Sequence, residues 1–171
     1  MMTDISRRNF LLAGGGATAA VLLAPVIKIV DDLAWAIAPY PSQKICNIEQ
    51  LIMGKAFAAS YPDKDSPIMV LNISVEALGG VGPGKSIVAF SSLCTHKGCP
   101  LIYLPKDETF VCPCHHSKFD PAKAGQIVIA QATENLPQIE LEIDSKGDIY
   151  ATGVKTLLYG RFQNLSFKAA Q

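Results

Sequence analysis

No excess of charge of either sign marks this chain of 171 residues: 15 Lys and Arg stand against 15 Asp and Glu. A surface built to hold nucleic acid carries a strong basic bias, so that class of partner is excluded. Internal repeats and low-complexity tracts are absent, and the length leaves room for one domain and an N-terminal segment. One phosphate-loop pattern occurs without its context. Gly79-Gly80-Val81-Gly82-Pro83-Gly84-Lys85-Ser86 fits the spacing, but Ile87 and Val88 follow where a helix N-terminus would have to meet phosphate. No nucleotide is therefore expected, and the glycines read as a turn between two strands.

Histidine is scarce, with three residues, and cysteine is modest, with five. Both are concentrated in two boxes, Cys94-Thr95-His96-Lys97-Gly98-Cys99 and Cys112-Pro113-Cys114-His115-His116-Ser117. Thiolates and imidazoles together suit zinc or an iron–sulfur centre. Zinc sites favour Cys-x2-Cys and His-x3-His spacing, which these boxes do not follow, and a bare disulfide framework would not require the histidines. Zinc and a disulfide framework stand as the competing readings of the boxes.

The double box resembles that of Rieske [2Fe–2S] proteins. The resemblance implies one [2Fe–2S] cluster, with Cys94 and Cys112 on one iron and His96 and His115 on the other. It implies a disulfide between the two remaining cysteines, Cys99 and Cys114, the bridge that separates high-potential Rieske proteins from the ferredoxin type. Two neutral imidazoles in place of two thiolates leave the site less negative, so an electron is accepted more easily. Ser117 is expected to tune the cluster by donating its hydroxyl to a cluster sulfur. Phe119 stands where quinol-oxidising relatives often carry a Tyr, so this cluster is expected at a lower potential than theirs. His116, the third histidine, takes the place of a common Gly and reads as a surface residue.

Residues 1–38 read as a signal segment. Ser6-Arg7-Arg8-Asn9-Phe10-Leu11-Leu12 opens an apolar run from Phe10 to Ile27 and resembles a Tat export signal. Such signals carry folded proteins to the periplasm, an oxidising place that suits a disulfide. Ala34-Trp35-Ala36 and Ala36-Ile37-Ala38 fit small-residue cleavage sites, the second disfavoured by Pro39. An apolar stretch of about 18 residues is at the short limit for a bilayer, so retention as a membrane anchor is the alternative to cleavage. Residues 39–55 read as a linker or N-terminal extension, with Cys46 ahead of the globular part as a free thiol, an intermolecular bridge and a lipid attachment being the alternatives.

Residues 56–171 read as the Rieske domain, an all-β antiparallel sandwich or barrel with a small cluster-binding subdomain, preceded by the signal helix. Ile68–Ile73 and Ser86–Ser91 are buried-strand runs, Thr109–Cys112 leads into the second box and Gln126–Ile129 follows it. Ile139, Leu141 and Ile143 alternate with Glu140, Glu142 and Asp144, and a turn at Ser145–Asp148 sends the chain back as a hairpin.

Between about Ala56 and Leu165 the chain is similar to the small, Rieske subunits of arsenite oxidases. Gln131-Ala132-Thr133-Glu134-Asn135-Leu136-Pro137 and Leu158-Tyr159-Gly160-Arg161 are the most specific segments. This resemblance implies an electron-transfer subunit rather than a catalytic one. Its partners would be a large molybdopterin-containing subunit and a periplasmic cytochrome c or copper protein. A related molybdenum enzyme such as iodate reductase is one alternative, and a quinol-oxidising Rieske protein of a cytochrome bc complex another. The latter carry a loop with two prolines where Ala130–Leu136 has none.

Overall fold

The computed structural model describes residues 40–160. The expected signal helix and the run from Phe10 to Ile27 lie outside the described residues. Ten strands follow in order: β1 (Gln43–Asn47), β2 (Phe57–Ser60), β3 (Pro67–Asn72), β4 (Ile87–Ser91), β5 (Ile102–Leu104), β6 (Thr109–Val111), β7 (Lys118–Asp120), β8 (Gln126–Ile129), β9 (Gln138–Ile143) and β10 (Asp148–Val154). Helical structure among the described residues is confined to short 3-10 turns. The architecture is all-β, as expected from the sequence.

The strands form two sheets, six strands in the order β1-β10-β9-β4-β3-β2 and four in the order β5-β6-β7-β8. Every pairing between these strands is antiparallel. β3 and β4 are apolar at nearly every position because both of their faces are covered. Ile68, Val70, Ile87 and Ala89 enter one core with Ile139, Leu141 and Ile149. Met69, Leu71, Val88 and Phe90 point the other way, into a second core with Phe110 and Phe119 of the four-stranded sheet. The two-residue period of the strand thus divides one run of side chains between two cores. Phe90 meets Phe110 edge to face at 5.6 Å, a contact between the two sheets.

In β9 the buried Ile139 and Leu141 alternate with exposed Glu140 and Glu142, and the hairpin to β10 pairs Ile149 with Ile143. The glycine-rich segment is a turn, as read. A 3-10 turn at Pro83–Lys85 leads directly into β4, and Gly82 and Gly84 have φ of 75° and 70°, a region glycine enters freely.

One expectation needs correction. Gln43–Asn47, read as part of a linker, is an edge strand paired with β10. Cys46 does not precede the globular part; it is 3 % exposed within the first core, where it is a free thiol. The apolar residues near it, Ile45, Cys46 and Ile48, do not alternate with polar ones, the register shifts between Lys44 and Cys46, and its partner strand lies about 100 residues further on, in a pairing no local pattern announces. Lys44 Nζ meets Asp148 Oδ2 at 2.5 Å and Asn47 Nδ2 donates to Asp148 Oδ1 at 2.8 Å, so this carboxylate fastens β1.

Candidate metal centre

Two loops carry the boxes. The first, residues 93–100, leaves β4 in the larger sheet and enters β5 in the smaller one, closed by an isolated bridge between Leu93 and Pro100. The second, residues 112–117, caps the β6–β7 hairpin. They share one hydrogen-bond pattern. Cys94 N–H donates to Cys99 O at 2.8 Å and Gly98 N–H to Cys94 O at 2.7 Å. Cys112 N–H donates to Ser117 O at 2.8 Å and His116 N–H to Cys112 O at 2.9 Å. Gly98 and His116 therefore occupy equivalent positions, and both are left-handed, with φ of 71° and 62°. His116 is exposed, as expected, and stands where glycine would be unstrained.

Cys94 and Cys112 are both buried and near enough for each thiol to feel the other. Burial pushes the Cys94 thiol pKa up and the neighbouring Cys112 adds to this, while the amide groups of His96 and Lys97 pull it back. On the outer side the rings of His96 and His115 meet edge to face, centroids 4.7 Å apart. His115 is exposed, whereas His96 Nδ1 is buried and has no hydrogen-bond partner among the described residues. A buried imidazole nitrogen without a partner, and two buried adjacent thiols aided by amide donors, fit a metal group that would take up those valences.

Cys99 and Cys114 form the expected disulfide, Cα atoms 6.5 Å apart, and tie the two loops together. The sulfur of Cys112 lies within 4.8 Å of both, but two sulfurs bonded to each other are not available as thiolate ligands, so this trio is not a metal site in its own right. Ser117 is fully buried, and its Oγ accepts from the amides of Gln131 and Ala132, each at 3.1 Å. With its oxygen engaged by two donors, its single proton is free to be given elsewhere. Phe119 is likewise fully buried and offers no donor.

A third segment, residues 130–137, packs beside both loops. Thr95 Oγ1 donates to Glu134 O at 2.7 Å, Ile127 N–H to Asn135 Oδ1 at 3.2 Å, and Leu136 N–H to Gly125 O at 2.9 Å. Between it and residues 156–159 lies a groove of about 600 Å³ that Thr95 also lines. Sequence reasoning singled out both walls of this groove as segments without placing them together.

Residues 42–140 match the family of Rieske [2Fe-2S] domains. This chain is a Rieske protein. Residues 4–24 match the signal sequence of the twin-arginine translocation pathway, so the protein is marked for export across a membrane. It is 40% identical over 164 residues to iodate reductase subunit IdrB of Denitromonas iodatirespirans, covering 94% of this chain and 86% of that one. It is 34% identical over 145 residues to the cytochrome b6-f complex iron-sulfur subunit of Chlorobaculum thiosulfatiphilum, covering 82% and 72%. Among solved structures it is similar to the soluble domain of Rieske protein II (soxF) from Sulfolobus acidocaldarius, with a TM-score of 0.65 and 25% identity over 72% of this chain and 82% of that one. The Rieske protein's cofactor is a [2Fe–2S] cluster, which supplies one-electron transfer when bound. Among the described residues no helix is long and apolar enough to cross a membrane.

Proposed function

We propose that this Rieske protein is the electron-transfer subunit of arsenite oxidase, docked on a large molybdopterin-containing subunit. In this reading the two electrons released when arsenite becomes arsenate leave singly toward a periplasmic cytochrome c or copper protein. Cys94 and Cys112 hold one iron, and His96 and His115 the other. The chain's own task is placement: the second core buries the thiolates, the disulfide clamps the loops, and the exposed His115 brings the site to the surface. The observation that carries the substrate is the groove beside the first ligand loop. Its walls, Thr133–Asn135 and Leu158–Tyr159, come from the two segments most specific to the arsenite oxidase resemblance.

The 40% identity to an iodate reductase subunit favours a second reading, the same module serving a molybdenum enzyme that reduces iodate. Electron paramagnetic resonance on the natively purified complex separates the two. Arsenite as sole reductant is expected to produce the reduced Rieske signal. A signal that appears only with dithionite, and disappears on adding iodate, would replace arsenite oxidase with the second reading. A signal raised by quinol instead would move the protein to the cytochrome bc class.

A further inference from the structure

The two ligand loops are supported unequally. The second is the end of a hairpin, with Val111 paired to Lys118 and Phe110 to Phe119, so its ends are fixed by a ladder. The first starts in one sheet and ends in the other, and a single bridge, Leu93 to Pro100, stands at its base in place of a ladder; the disulfide at Cys99 and the bond from Thr95 to Glu134 O hold it further along. Its turn is made at Gly98, whose φ of 71° and N–H to Cys94 O fix the direction in which Cys94 and His96 are presented.

The outer side of that turn is covered by one ring. A Cβ placed on Gly98 would lie 2.3 Å from Cε1 and 2.8 Å from Cδ1 of Tyr159, so the ring fills the volume a side chain there would take. Its counterpart in the second loop, His116, is exposed. Tyr159 is itself well placed to transmit support. Leu158, 5 % exposed, is planted in the first core, and Lys155 binds Gln138 through its N–H to the carbonyl oxygen and through Nζ to Oε1. The segment is thus anchored on the larger sheet while the next residue reaches the loop. Tyr159 itself is 39 % exposed.

We propose that Tyr159 is a positioning residue for the cluster: its ring holds the first ligand loop from outside, supplementing the single bridge that stands where the second loop has a ladder. The proposal rests on the ligand reading given above. It is tested on the cluster-loaded protein with Tyr159→Ala and Tyr159→Phe. Two quantities are read, the rate at which the visible absorption bleaches in moderate urea and the g-values of the reduced cluster. Tyr159→Ala is expected to bleach roughly tenfold faster and to show displaced or broadened g-values, while Tyr159→Phe, which keeps the ring, matches the wild type in both. If Tyr159→Ala does not fold, Tyr159→Leu takes its place under the same criteria. An alanine variant indistinguishable from wild type overturns the proposal, and so does a phenylalanine variant that behaves like alanine. A wild-type protein with no Rieske signal would strike the ligand reading instead, so the two failures are distinguishable.

Discussion

Ser117 is where a single atom has most leverage. Two backbone amides already donate to its Oγ, so the hydroxyl is held in one place with its proton to give. A donor to sulfur stabilises the more negative, reduced state. Ser117→Ala is expected to lower the midpoint potential by roughly 60 mV, the one-electron equivalent of about 1.4 kcal/mol, in a spectroscopic redox titration; an unchanged potential removes that proton from the account. Phe119→Tyr is expected to move the potential upward in the same titration, because the fully buried position would add a donor beside the site. His96→Ala and His115→Ala should each abolish the visible absorption of the cluster. Cys99→Ser is expected to leave the cluster assembled but to cost about 3 kcal/mol in a denaturant melt, the loop-closure value for a separation of this size. Losing the cluster entirely would make Cys99 something other than a brace.

Among the elements, the edge strand and the sheet-to-sheet contact make different demands. Asp148 has its pKa lowered, first by the bond from Lys44 and then by that from Asn47. A carboxyl depressed in the folded state contributes stability above its unfolded pKa of about 3.9 and loses it as pH falls through the folded value. Asp148→Asn is therefore expected to melt below the wild type at pH 7, with the gap between the two curves closing as pH is taken below about 4. A gap that persists in acid would show that the charge is not what fastens β1. Phe110 packs between Phe90 and Tyr103, at 5.6 and 5.5 Å. Phe110→Ala is expected to cost about 3–5 kcal/mol in a urea melt, and, since Cys112 lies two residues on, to speed cluster loss as well.

Across the whole molecule, legibility followed distance along the chain. β9 and β10 were readable because alternation and a polar turn are local, and β3 and β4 because continuous apolar runs are. The boxes were readable for the same reason, each being one short loop. β1 escapes the sequence because its register is set by β10, β2 because its four residues, Phe57 to Ser60, show no clear alternation, and β5 and β7 because three residues show no period; β6, equally short, is legible only because it runs into the second box. Nor could residue types alone show that Ser117 takes its two amides from residues 131 and 132, or that the ring of Tyr159 lies on Gly98: both are contacts between separate loops.

The bridge between Cys99 and Cys114 also implies an order of events. A protein exported in its folded state sets out from a reducing compartment and arrives in an oxidising one. Its two loops must already stand opposite each other while both sulfurs are still thiols, with the exposed Cys114 open to whatever oxidant waits outside. The covalent clasp is then expected to be the last bond made, after the core has packed, and so to serve as a chemical record of where the molecule has been. Protein held back inside the cell is expected to carry the same fold with the clasp undone, and a thiol-trapping assay on cytoplasmic and exported fractions would read the difference directly.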